Sequence, residues 1–263
     1  MKIFDTHAHY DDERYSEDLD ELIKDNYENG VQKIVNASYD LESSIKSKIL
    51  ADRYENMYFT VGIHPEGVRE SIDDDINELD NIIKENIDNK KLVAVGEIGL
   101  DYYYTKENKD IQKEYFVRQL DLAIKYNLPI IIHSRDASED MYHILNDKKY
   151  ENIKLVFHCF QPSDEIARLA IKRKYMIGLG GNITFKRSQH SLDIIKSIPV
   201  EQMIVETDAP YMSPVPVRGT RNESKNIKYV IEKLAEIKEI ELEKLSKILY
   251  ENSINFFDIK ENS

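Results

Sequence analysis

The chain has one cysteine, Cys159, in 263 residues. A single thiol excludes an internal disulfide framework and fits a reducing compartment. No run of about 18 apolar residues occurs, so no membrane span is expected. The opening Met1-Lys-Ile-Phe-Asp-Thr-His reads as a strand that starts at once, without an apolar leader. A soluble, cytoplasmic protein is the expectation. Positive charge is also short: 36 basic residues face 49 acidic ones, a balance of −13. Such a surface repels a polyanion at long range, so no stable duplex-binding surface is expected. Phosphodiester substrates stay open, because bound cations invert the local field of an acidic cleft. No glycine-rich dinucleotide turn follows the first strand, and no linker or low-complexity tract marks a second domain.

What is present is alternation. Strand-like runs rich in Ile, Val, Leu and Phe fall at 2–5, 33–36, 58–62, 92–96, 130–133, 154–158, 176–178 and 203–205. Charged segments with apolar spacings of three and four lie between them. Residues 17–29 carry Leu19, Leu22, Ile23 and Tyr27 on one face, and 74–87 carry Ile76, Leu79, Ile82, Ile83 and Ile87. Helices are also predicted over 109–126, 164–174 and, more weakly, 188–197. Two more, 223–238 and 241–257, would close the structure. Leu128-Pro129 stops one helix just before the fifth strand. Eight strand–helix repeats predict an α/β protein: a (β/α)₈ TIM barrel spanning 1–263 as a single domain. An open doubly wound sheet is the competing architecture. Residues 209–222 read as a long irregular loop with Pro210, Pro214 and Pro216.

Six residues of types that bind metals sit at the ends of these runs. They are His7, His9, Glu97, His133, His158 and Asp208. In a barrel the C-terminal strand ends carry the active site. His7 and His9 are two apart, and residues i and i+2 of a strand face the same way, so both can grip one ion. Taken singly, His133 or His158 could be a hydrogen-bonded core histidine, Glu97 a salt-bridge partner and Asp208 a helix cap. Four imidazoles and two carboxylates at one mouth would instead form a divalent-metal site of a hydrolase. Cys159 beside His158 suggests a nucleophile, but adjacent strand residues face opposite ways, so buried packing is expected of it. Glu206 is expected to support the site from behind.

The blocks Asp5-Thr-His-Ala-His9, Gly62-Ile-His-Pro65, Gly96-Glu-Ile-Gly-Leu-Asp-Tyr102, His133-Ser-Arg-Asp136, Phe157-His-Cys-Phe160, Glu206-Thr-Asp-Ala-Pro-Tyr211 and Arg218-Gly-Thr-Arg-Asn-Glu223 resemble the signatures of the TatD family. These are metal-dependent deoxyribonucleases of the amidohydrolase-like barrel superfamily. The resemblance implies two divalent metal ions. His7, His9, Glu97 and Asp208 would hold the first, and Glu97, His133 and His158 the second. Mixed imidazole and carboxylate donors leave Mg, Mn, Zn and Ni all open. Asp208 and Glu97 would be catalytic, activating water against a phosphodiester.

Substrate contacts would come from His64, Arg135, Tyr211, Arg218 and Asn222. For the last three, a loop braced by side-chain hydrogen bonds is the alternative. The implied partner is nucleic acid as substrate, cut at single-stranded or frayed ends. A D-aminoacyl-tRNA deacylase with the same site, and a non-catalytic metal-binding barrel, are the competing functions. The residues leave the oligomeric state open, with a monomer favoured. Two positions depart from the family pattern: Gln161-Pro162 replaces Ser-Gly, and Ser224 stands where proline is usual.

Overall fold

The computed structural model describes residues 1–103 and 107–260. Its eight strands are β1 (Ile3–Ala8), β2 (Val31–Asn36), β3 (Met57–Val61), β4 (Leu92–Asp101), β5 (Ile130–Arg135), β6 (Leu155–Phe157), β7 (Met176–Leu179) and β8 (Met203–Val205). All neighbours pair in parallel, in chain order. Between and after them come α1 (Leu19–Glu28), α2 (Leu41–Arg53), α3 (Ile72–Asn86), α4 (Lys109–Tyr126), α5 (Ser138–Leu145), α6 (Asp164–Arg173), α7 (Gln189–Ser197), α8 (Ile227–Lys238) and α9 (Leu242–Phe256). This is the (β/α)₈ barrel. β1 and the chain after β8 are joined by an Ala8–Ala209 bridge, by Asp208 N donating to His7 O (2.9 Å) and by His9 N donating to Ala209 O (2.7 Å).

The sheet's apolar residues build two cores. Phe4, Val35, Val93, Ile131, Val156 and Ile204 come from six strands and meet Tyr250, Phe256 and Phe257 in and just after α9. Phe4 and Phe257 have ring centroids 5.8 Å apart. This cluster plugs the N-terminal end of the barrel. The larger core lies between the sheet and the helices. The C-terminal ends are left to the polar residues. No helix among the described residues is long and apolar enough to cross a membrane.

The elements differ from expectation in two ways. β1 and β4 run further than their apolar stretches, so His7 and Glu97 lie within strands rather than past them. Helices α2 and α5 were not predicted. In α2 the buried residues are Ser43, Ser44, Ser47 and Ala51, while Ile45 and Ile49 are 52% and 59% exposed. Small residues let this helix pack closely on the sheet, and they carry no hydrophobic signal.

Candidate metal centre

β1 presents His7 to the mouth and His9 follows one residue past its end, with Nε2 atoms 3.1 Å apart. His9 Nδ1 lies 2.9 Å from the Ala37 carbonyl. A carbonyl only accepts, so Nδ1 carries the proton and the Nε2 lone pair points inward. The barrel closure brings Asp208 to the same point: its Oδ1 is 3.4 Å from His9 Nε2 and 3.9 Å from His7 Nε2. Asp208 takes φ 58, a left-handed conformation that Asp tolerates better than most residues. From β4, Glu97 Oε2 is 3.3 Å from His7 Nε2. His158, just past β6, stacks on the His7 ring (3.6 Å, 19°) and places Nε2 3.7 Å from Asp208 Oδ1 and 3.8 Å from Glu97 Oε1. Its Nδ1 faces Glu206 Oε1 at 2.9 Å.

These atoms fit a cation. Donors that share one ion at about 2.1 Å stand about 3.0–3.4 Å apart, and the His7–His9, His7–Glu97 and His9–Asp208 separations lie in or near that range. Buried His7 Nδ1 has no hydrogen-bond partner, and burial with the neighbouring His158 and His9 outweighs the opposing Glu97 and lowers the His7 pKa, which keeps the ring neutral. The electrostatics agree. Burial works against an ionised Glu97, but His158, His7 and His133 outweigh it and hold the carboxyl well below its usual range. Asp208 is likewise lowered: burial opposes ionisation, and His9, His158 and His7 overcome it.

A second group forms on the other side of Glu97. His133, on β5, has Nδ1 2.8 Å from Glu97 Oε1 and Nε2 2.9 Å from Asp101 Oδ2. His64 Nε2 is 3.8 Å from Glu97 Oε1. The convergent set here is thus His64, Glu97 and His133, whereas His158 groups with His7 and Glu97 and with Cys159 and Asp208. This differs from the expected pairing of His133 with His158. His64 is nevertheless a poor ligand. Its Nδ1 accepts the Glu66 backbone N–H (3.2 Å), so in the neutral ring the proton sits on Nε2, which then donates. Burial and the nearby His133 push its pKa down to about 3, so the ring is neutral.

Around these groups runs a cleft of about 770 Å³, whose lining includes Arg135, Gln161, Cys159 and Tyr211. The Arg135 guanidinium lies 3.9 Å from the Tyr103 ring centroid. Tyr211 is 49% exposed and carries Arg14 over its ring at 4.4 Å. Arg218 is exposed, lies over Phe185 at 4.2 Å, and is not among the cleft residues. Asn222 is a correction. It is fully buried, and its Nδ2 donates to the Thr207 and Tyr211 carbonyls (3.0 and 2.7 Å). It braces the loop and offers the cleft nothing.

Cys159 is a second correction. It lines the cleft and is only partly buried. β6 ends at Phe157 and Cys159 takes φ 44, so strand alternation no longer applies to the His158–Cys159 pair. The acidic surroundings keep it a thiol: burial first, then Asp208, Glu206 and Glu97, raise its pKa. Asp101 went unrecognised as a site residue. Its signal is the i+4 spacing from Glu97 on one strand face.

The family profile described as TatD related DNase matches residues 4–258. The chain belongs to the TatD family. YabD of Bacillus subtilis (strain 168), described as an uncharacterized metal-dependent hydrolase, is 39% identical over 98% of this chain and 99% of its own. YcfH of Escherichia coli (strain K12), described in the same words, is 30% identical over 98% and 97%. The crystal structure of YJJV, a TatD homologue from Escherichia coli K12, superposes with a TM-score of 0.89 at 29% identity, covering 98% of each chain.

This protein is therefore a TatD-family metal-dependent hydrolase. Its two departures from the usual TatD signature sit in different places. Gln161 lines the cleft next to Cys159. Ser224 is buried; its Oγ donates to Asp5 Oδ2 (2.6 Å) and lies 2.7 Å from Tyr10 Oη. Asp5 also accepts from Thr207 N and Oγ1 (3.0 and 2.6 Å), so Ser224 helps tie β1 to the segment that carries Asp208.

Proposed function

We propose that this TatD-family hydrolase is a phosphodiesterase that cuts DNA at single-stranded or frayed ends, with two divalent cations held across Glu97. The observation that carries the reading is the placement of the Glu97 carboxylate. Its Oε2 faces His7 and its Oε1 faces His133. His7, His9 and Asp208 would hold the first ion with Glu97. His133 would join Glu97 at the second, and His158, stacked on His7 with Nε2 3.8 Å from Glu97 Oε1 and 3.7 Å from Asp208 Oδ1, would be the remaining imidazole ligand. Divalent cations bound there polarise a phosphoryl oxygen and bring the deprotonation of water close to neutral pH.

The protein's own groups do the remainder. Asp208, its side chain 18% exposed at the mouth, is the proton acceptor. His64 donates Nε2–H to a phosphoryl oxygen. Arg135 offers its fork to the same phosphate. The acidic body disfavours tracking along a duplex and suits capture of one strand end. The single thiol suits a cytoplasmic home.

The test uses manganese-loaded protein with labelled single-stranded DNA, blunt duplex DNA and D-aminoacyl-tRNA in parallel. Cleavage of the single strand, lost in Asp208→Asn with the fold kept, is the expected outcome. Deacylation of the tRNA with intact DNA would transfer the site to the ester reaction. Metal counting gives a second check. Glu97→Ala is expected to lose both ions, and His133→Ala mainly one; equal losses would refute the bridging role.

A further inference from the structure

A second, smaller cavity adjoins the metal centre. It lies between the loops that follow β5 and β6, which are neighbours in the ring. Ser134, His158 and Gln161 line both this cavity and the larger cleft. The proposed ligand His158 thus stands in the wall between them. The cavity measures about 130 Å³. At roughly 10–15 Å³ for each water it holds about ten, close to the heavy-atom count of one nucleobase.

Its lining has two chemistries. Phe157, Phe160 and Ile166 are buried and make an apolar side. Gln161 and Asp136 are exposed and make a polar one. Neither the Gln161 amide nor the Asp136 carboxylate has a hydrogen-bond or ion-pair partner among the described residues. An apolar wall with a few convergent polar groups is the pattern of a small-molecule site.

Charge decides what enters. Ser138 opens α5 and Ser163 caps α6, and both line the cavity. The first turns of these helices carry Glu139 and Asp140, and Asp164 and Glu165. With Asp136 they repel a phosphate. A neutral base with an amino group is attracted, because a carboxylate accepts from cytosine N4 and a glutamine amide pairs with adenine N6 and N7. Thymine has no such donor. Gln161 replaces the serine usual in the TatD signature, and serine carries no amide.

We infer that this cavity receives the unpaired base of a nucleotide whose phosphate lies at the metal centre, and that Gln161 and Asp136 select bases bearing an exocyclic amino group. The inference rests on the nuclease reading above and adds a base preference to it.

The experiment uses manganese-loaded protein and two single-stranded oligonucleotides with thymidine bodies. In one, the two nucleotides at each end carry adenine. In the other they carry purine, which is adenine without its amino group. The readout is the ratio of kcat/KM from initial rates, adenine over purine. A base contact of this kind predicts a ratio of about five or more in the wild type. Gln161→Leu and Asp136→Gly are each expected to bring it toward one. Glycine takes the left-handed φ of 53 at position 136 freely. A merely structural role would slow both substrates alike and leave the ratio unmoved. Circular dichroism and metal counting verify that the variants are folded and loaded. A wild-type ratio near one, or a ratio unmoved in both variants, overturns the inference and leaves the nuclease reading standing. Failure to cut either oligonucleotide removes both.

Discussion

A ligand imidazole works only when its proton sits on the nitrogen away from the ion. The chain fixes this by a hydrogen bond at His9, through the Ala37 carbonyl; behind His158 the Glu206 carboxylate stands 2.9 Å from Nδ1 as a charge partner, without a formed hydrogen bond. Glu206 is buried and accepts the Cys159 backbone N–H. Groups in such positions are worth about 10–100-fold in metal affinity. Glu206→Gln is expected to weaken metal binding by that factor in a chelator competition, with secondary structure kept. Unchanged affinity would mean that Glu206 serves only the backbone. His64 makes the opposite case, since its acceptor Nδ1 leaves Nε2 protonated. With its pKa pushed down to about 3, its nitrogen-15 signals should show the Nε2–H tautomer without titration between pH 5 and 8. A titration in that window would remove its assignment as a neutral donor. All six proposed ligands were legible because each is a metal-binding type at the end of an apolar run. Cys159 was misread because alternation was carried past the end of β6.

Elements set how finely these residues can be placed. The eight strands were legible as β-branched runs, and their long reach in β4 was not, because Gly96, Glu97, Gly99 and Asp101 interrupt the apolar pattern. The glycine at 99 is needed. It takes φ 150, and a Cβ there would stand 1.9 Å from the His133 carbonyl oxygen. The close approach of β4 to β5 is what puts Glu97 and Asp101 on either nitrogen of His133. Gly99→Ala should therefore part the two strands. The backbone conformation alone costs of order 1–3 kcal/mol, read as a lower midpoint in urea. The variant should also lose the metal equivalent that depends on His133 while retaining the one at His7, His9 and Asp208. Full metal content would show that the strands tolerate the shift. The helices were legible where large apolar residues face the sheet, as in α3. They were hidden where serine and alanine do so, as in α2.

At the scale of the whole molecule, the ion-free barrel balances its buried acids with protons. Burial pulls His133 down, but Asp101 and Glu97 outweigh it and raise its pKa to about 9. For His158, Glu206 and Glu97 overcome burial and raise it to about 10. Both values lie above the ordinary histidine range near 6.5. A raised folded-state pKa contributes stability that is fully present below about 6.5 and is lost as pH climbs through the folded value. The metal-stripped protein should thus lose melting temperature between pH 6.5 and 9.5.

Divalent cations compete with those same protons, because a ligand nitrogen must give its proton up. Their affinity should rise over the same interval. Ligand at about 100 times Kd adds about 2.7 kcal/mol, which is roughly 5–10 °C for a chain of this size. The gap in melting temperature between manganese-loaded and chelator-stripped protein is expected to widen from pH 6.5 to pH 9. Calorimetric titrations in buffers of different ionisation enthalpy should record proton release at the lower pH. A gap that stays constant or narrows with pH would mean that His133 and His158 keep their protons when the ions bind. They would then have to be withdrawn from the ligand set, leaving the cations to His7, His9, Glu97 and Asp208.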